Sequence, residues 1–180
     1  MTNFRQIDRP KLLQAVTDIL SAIGEDPERE GLLETPRRVA DMYLEMFQGL
    51  DIEPTELIDS AIFNEPAAGE IVTVANITFD SMCEHHLLPF RGTVDISYAP
   101  NGGRVVGLSK LARVVDAVAK RPQVQERMTQ QVLEAIALSS LKPNGVEVHV
   151  EAEHMCMSIR GVHKHGAVTR TSARWGTLAE

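Results

Sequence analysis

Three observations predict an α+β protein. Two amphipathic stripes of helical period fill the first fifty residues before any strand pattern occurs. β-Branched runs and period-two alternation begin only after residue 70. Two further helical stripes then separate the early strands from the late ones, so helices and strands are segregated and do not alternate strictly.

Taken in order, residues 1–9 read as a loose tail. From Pro10, the residues Leu12, Leu13, Val16, Ile19, Leu20 and Ile23 follow the i, i+3/i+4, i+7 spacing of one buried helix face. Pro10 suits the first turn and Gly24 the stop. Asp26, Pro27 and Gly31 mark a connection. Thr35-Pro36 then reads as N-cap and first helical residue, ahead of Val39, Met42, Tyr43, Met46 and Phe47 and an end near Gly49. Residues 51–69, with Pro54, Pro66 and Gly69, are expected to be irregular.

Ile71 to Phe79 is rich in β-branched residues and reads as a strand leading to a turn at 83–86. Val94, Ile96 and Tyr98 alternate with Thr93, Asp95 and Ser97 as a half-buried strand. Pro100-Asn101-Gly102-Gly103 is expected to turn this strand into a hairpin with 104–108. Ser109 is placed to cap a helix with Leu111, Val114, Val115 and Val118 inward and with Lys110 and Arg113 sharing a face. Pro122 is expected to start another helix running to about Ser140, with Gln125 and Glu126 in its first turn. After the turn Lys142-Pro143-Asn144-Gly145, apolar Val146, Val148, Val150 and Ala152 alternate with polar neighbours. Extended to residue 160, this strand projects His154, Cys156, Ser158 and Arg160 in one row. Val168, Thr169, Thr171 and Ser172 allow a short last strand, and His163 and His165 read as exposed loop residues.

Composition narrows the function. A chain of 180 residues suits one domain, and 43% hydrophobic with 24% charged residues is ordinary for a soluble fold. A net charge of −7 gives no overall field for nucleic acid, so a polyanion would bind at a local basic cluster. No apolar run approaches the roughly 18–20 residues that cross a bilayer. Nothing at the N-terminus resembles a signal peptide, which points to the cytoplasm.

The chain has two cysteines, each beside a histidine. Cys83 and His86, three positions apart in Cys83-Glu84-His85-His86, can close on one small ion, with Cys156 as the natural third ligand. Soft and borderline donors favour zinc, and a catalytic zinc keeps three protein ligands and one open position. His85 and His154 are left over as acid/base groups. The competing readings are two buried thiols without metal, and a disulfide that an intracellular chain disfavours.

Several stretches in order make the chain resemble the GTP cyclohydrolase I family: C-E-H-H at 83–86, V-V-G-L-S-K-L-A-R at 105–113, R-P-Q-V-Q-E-R at 121–127, H-M-C-M-S-I-R-G-V at 154–162, and T-P-R-R at 35–38. The resemblance implies the tunnelling fold, with antiparallel strands in one layer and helices in the other. Residues 1–69 would be an N-terminal helical extension and 70–180 the catalytic domain, in one structural unit. It implies Zn2+ on Cys83, His86 and Cys156, with His85 and His154 as acid/base groups. It further implies guanine recognition by Glu126 with Gln125 beside it, triphosphate contacts from Lys110, Arg113, Arg160 and Arg38, and Ser109 as a helper near the ribose. The implied reaction takes GTP to 7,8-dihydroneopterin triphosphate and formate, in a homodecamer with sites between subunits.

Where family members commonly carry a serine after R-G-V, this chain has Ala167, and the final segment with Arg170, Arg174 and Trp175 is less typical. No long N-terminal regulatory extension is visible, so no regulatory protein partner is expected. Two other readings remain: a tunnelling-fold enzyme acting on a different purine or pterin, and a non-catalytic zinc or nucleotide module. The spare histidines argue against the second, because a structural zinc is closed by four ligands.

Overall fold

The computed structural model describes residues 7–179. The first six residues of the expected tail lie outside that range. Helix α1 (Arg9–Ala22) is capped by Asp8, whose carboxylate accepts from the Lys11 N–H at 3.0 Å, and the chain leaves it through Gly24 at φ +86°. Helix α2 (Thr35–Met46) packs on α1, tied by Arg9 to Asp41 at 2.8 Å. Thr35 is not its cap. The turn at 32–35 is already wound, with the Thr35 N–H on Leu32 O, so Glu34 takes the cap position.

The segment expected to be irregular has structure of its own. After a 3-10 turn at Gln48–Asp51 comes the short helix α3 (Pro54–Asp59), where the Glu53 side chain accepts from the Thr55 N–H and Ile58 is completely buried. Strand β1 (Ile62–Asn64) follows.

The main sheet is built from β2 (Val72–Cys83), β3 (Pro89–Ala99), β5 (Pro122–Gln123), β6 (Gly145–His154) and β7 (Val168–Gly176), in the order β5-β2-β3-β6-β7. Every pairing is antiparallel except β5 with β2. Strand β2 carries a bulge between Val74 and Ile77, with Asn76 at φ +58°. At Gly92 of β3 a side chain has no room, because a Cβ would stand 1.8 Å from Glu151 O.

Helices α4 (Leu108–Ala119) and α5 (Gln125–Ala137) cover one face of the sheet. Leu111, Val114, Val115 and Val118 from α4, and Met128, Val132, Leu133 and Ile136 from α5, meet Phe90, Val94, Ile96, Tyr98, Val146, Val148 and Val150 in one core. The opposite face is polar, with the cross-strand pairs Arg170–Glu151 and Arg174–Glu147 set by the β6–β7 register. This is the α+β layering expected from the sequence.

Further details differ from expectation. The hairpin between the 94–98 strand and 104–108 does not form, because β3 already has β2 and β6 on its two edges. Instead β4 (Arg104–Val106) pairs with β1, and Asn101 and Arg104 make only an isolated bridge. Ser109 is not a cap. Gly107 holds that place, its N–H on Ala61 O and its carbonyl accepting from Lys110. The helix expected from Pro122 begins at Gln125, because Pro122 and Gln123 are drawn into parallel pairing with Met82 and Cys83. Finally, β6 stops at His154 and the chain winds into a helical turn, α6 (Met155–Ser158), so the row His154, Cys156, Ser158, Arg160 does not exist. The last strand is longer than expected.

Candidate metal centre

The sheet ends where β2 reaches Cys83. The next turn folds back on itself, with the Leu87 N–H on Cys83 O at 2.8 Å and the Cys83 N–H on Leu88 O at 2.9 Å. This puts His86 Nδ1 3.8 Å and His85 Nδ1 4.0 Å from Cys83 Sγ. The β3–β6 register sets His154 opposite Phe90, close to this turn. Because α6 follows immediately, Cys156 swings toward Cys83 and does not continue along the sheet. The donor atoms of Cys83, His86 and Cys156 all lie within 4.8 Å of one another. The three candidate ligands therefore meet through a turn and not through strand alternation.

The donor set fits zinc. Bond lengths of about 2.0–2.3 Å at a tetrahedral ion put neighbouring donors about 3.5–3.8 Å apart, a small contraction from this geometry. Burial, and next the neighbouring Cys83, push the Cys156 thiol up, so two thiolates here call for a cation. A divalent ion between them reverses that preference. Both cysteines are unpaired thiols, and three protein ligands leave a fourth position open.

Around this corner stand most of the other expected residues. His154 is half-buried, its ring stacked on Phe90 with centroids 4.5 Å apart and planes at 5°, and its Nε2 2.8 Å from Gln125 Oε1. Burial lowers its pKa, partly opposed by the charge of Glu126, so the ring is held toward its neutral form. Glu126 is exposed in the first turn of α5, where the helix dipole favours a carboxylate. His85 is open to solvent, 3.9 Å from Glu84. Arg160 places Nη1 2.8 Å from His86 Nε2. Gln125 is 1% exposed, its side chain enclosed between α5 and the sheet.

The remaining expected residues lie elsewhere. Ser81 Oγ donates to Ala119 O at 2.6 Å, fixing the C-terminal end of α4 beside the cysteine corner. Lys110 is nine residues back along that helix, about 14 Å away at 1.5 Å per residue, with Ser109 beyond it. Arg113 borders a groove of about 280 Å³ with Ile52, Leu57 and Lys120. Arg38 is exposed on α2, beside an Arg37 engaged with Glu34 and Asp41.

Sequence reasoning missed two groups at the corner. Arg127 grips Glu84 through two hydrogen bonds of 2.5 and 3.1 Å, lowering the carboxyl pKa and linking α5 to the turn that carries His85 and His86. Phe90 forms the floor under His154. In the sequence it lies between the 83–86 turn and the expected strand, where an aromatic residue reads as ordinary core.

The family model for GTP cyclohydrolase I matches residues 12–180. GTP cyclohydrolase 1 of Bacillus subtilis (strain 168) is 55% identical over 176 residues, covering 98% of this chain and 91% of its own. The same-named protein of Listeria welshimeri is 58% identical over 173 residues, covering 96% of this chain and 90% of its own. A solved structure of the archaeosine synthase QueF-Like in the apo form overlaps 60% of this chain and 95% of its own at TM-score 0.49 and 19% identity, a partial likeness.

Proposed function

Since the chain belongs to the GTP cyclohydrolase I family, we propose that the corner joining Cys83, His86 and Cys156 is the zinc centre at which it converts GTP to 7,8-dihydroneopterin triphosphate and formate. The observation that carries this reading is the gathering of those three donors within 4.8 Å, with His154 and Glu126 beside them. Bound zinc would supply Lewis acidity and an activated water near neutral pH.

The chain's own residues account for the rest. Glu126, exposed at a helix N-terminus, can accept the ring N–H and the exocyclic amine of guanine together, a pairing adenine does not offer. Water adding to C8 loses a proton while a ring nitrogen gains one. Imidazoles suit both transfers near pH 7. His154 is the half-buried, hydrogen-bonded one of the pair and His85 the solvent-facing one. Arg160 reaches the corner from the turn after α6 and is placed for phosphate oxygens, for which guanidinium is well shaped.

Ser109, Lys110, Arg113 and Arg38 belong in this reading to a neighbouring copy. The length of α4 keeps Ser109 and Lys110 from the corner of their own chain, and Arg113 borders a separate groove. Among the described residues, β7 and most of β2 also have one edge without a strand partner, which suits lateral assembly. A homo-oligomer with sites between subunits, in the family a decamer, meets both facts.

The test is release of formate and of a pteridine, fluorescent once oxidised, from GTP with and without a zinc chelator. We expect both products, and their loss on chelation with recovery on zinc addition. Absence of turnover at full zinc occupancy would overturn the reading. Competition by other purine nucleotides would then show whether a different substrate is preferred.

A further inference from the structure

Gln125 stands next to Glu126, and the resemblance groups the two at the guanine. Its side chain is used otherwise. The amide nitrogen lies 3.1 Å from Val150 O, 3.0 Å from Thr169 O and 3.1 Å from Thr171 Oγ1. Two of those partners are main-chain carbonyls, which only accept, so the NH₂ end must face β6 and β7. The amide oxygen is thereby turned to His154 Nε2, 2.8 Å away.

The hydroxyls nearby are oriented by the same logic. Thr129 Oγ1 donates its one proton to Gln125 O at 2.8 Å. The 2.7 Å contact between Thr129 and Thr171 must then be a donation from Thr171, leaving Thr171 Oγ1 only to accept, from a Gln125 N–H it shares with a neighbouring carbonyl, since the amide has two protons for three acceptors. Every proton in this buried chain has one direction. An amide oxygen cannot donate, so the imidazole must carry its hydrogen on Nε2.

We infer that Gln125 is a positioning residue for His154: it fixes the ring in the Nε2–H form, flat on Phe90, so that Nδ1 alone exchanges protons with the substrate. The inference rests on the cyclohydrolase reading for what the proton does, but not for where it sits. When Nδ1 takes up a proton and passes it to the purine nitrogen, the neutral Nε2–H form is restored, still paired with Gln125, and no ring flip or amide rotation is needed. The same hydrogen bond persists in both charge states, so the ring keeps one orientation through the cycle. Guanine specificity then falls to Glu126 and the main chain, not to the Gln125 amide.

The first test needs no substrate. Nitrogen NMR of the zinc-loaded full chain, labelled at histidine and assigned with His154→Asn, should show a slowly exchanging proton on Nε2 of His154 and a proton-free Nδ1 in the neutral ring. A proton on Nδ1, or an Nε2 proton exchanging freely with water, would overturn the inference.

The second test separates positioning from guanine contact. Gln125→Met should retain zinc, lose the protected ring proton, and lower kcat about 10–100-fold with little change in KM, as loss of a supporting partner does. Gln125→Glu, which still offers an acceptor, should recover the protected proton and part of kcat. A rise in KM for GTP at unchanged kcat in Gln125→Met would instead assign the side chain to guanine and overturn the proposal. If Gln125→Met fails to fold, the unsubstituted chain's spectrum still decides. Failure of the cyclohydrolase reading would appear separately, as a chain with the expected ring proton and no turnover of GTP.

Discussion

The two ends of helix α4 make opposite kinds of site. At its C-terminal end, the cysteine corner is assembled by one chain: three ligand atoms, a stacked and hydrogen-bonded His154, and a Glu126 close enough to influence it. At its N-terminal end, Ser109 is exposed and Lys110 half-exposed, and among the described residues Lys110 and Arg113 make no ion pair. The corner is fixed by sheet register and buried hydrogen bonds, which a single fold can supply. The cationic end, in the reading proposed above, serves the corner of a neighbouring copy. On that proposal, chemistry that demands sub-ångström placement is kept within the chain, and charge neutralisation, which tolerates looser geometry, is left to the assembly.

The largest effect should come from the corner. Cys156→Ala should lose stoichiometric zinc and reduce formate release by on the order of 10³-fold or more, since a catalytic metal contributes several kcal/mol. Metal analysis beside turnover checks it. Retention of zinc and activity would break the contrast outright. His154→Ala should keep its zinc and lose about 10²–10⁴-fold in kcat, the usual range for one acid/base group.

The far end should behave differently. Lys110→Ala should leave zinc and kcat nearly intact and raise KM for GTP about 10–100-fold, the equivalent of one charge-assisted hydrogen bond. Mixing Lys110→Ala and Cys156→Ala chains from the unfolded state sharpens the comparison. If one copy's lysine serves another copy's corner, random reassembly should restore roughly a quarter of the sites. No recovery would place both groups in the same chain's site.

The smallest effect concerns Tyr98, which ties β3 to the strand that feeds the cationic end of α4. Its oxygen accepts the Val106 N–H at 3.3 Å, so Tyr98→Phe should cost about 1 kcal/mol. Burial raises the phenol pKa, and the Val106 bond only partly offsets this. A folded pKa above the unfolded value near 10 leaves this stability intact below about pH 10 and removes it as pH climbs toward the folded value. Melting followed between pH 9 and 11 should show the unsubstituted chain losing more than Tyr98→Phe.

Much of this was legible in the sequence, for identifiable reasons. The apolar stripes of α1, α2, α4 and α5 and the alternation of β3 and β6 are local patterns, and local patterns survive folding. Cys83 and His86 could be paired because one turn holds both. Contacts between distant segments were not legible. Nothing near Arg104 says that both edges of β3 are occupied, so the hairpin looked reasonable. Met155-Cys156-Met157-Ser158 has no strong preference between strand and helix, and alternation was carried through a turn. The part played by Gln125 depends on Val150 and Thr169, 25 and 44 residues away, and no spacing rule reaches that far.

The bulge in β2 has a consequence for the ligands themselves. Before it, the even-numbered Val72 and Val74 face inward. Past Asn76, whose N–H rests on Asp95 Oδ1 at 2.7 Å, the odd-numbered Ile77, Phe79, Ser81 and Cys83 do. One supernumerary residue is a parity switch. Removing it would carry Cys83 to the opposite face of the sheet, away from its present partners, while every candidate ligand stayed in the sequence. The centre is therefore counted as well as composed: the loop before residue 72 can change length without moving Cys83 to another face, but the strand cannot lose a single residue.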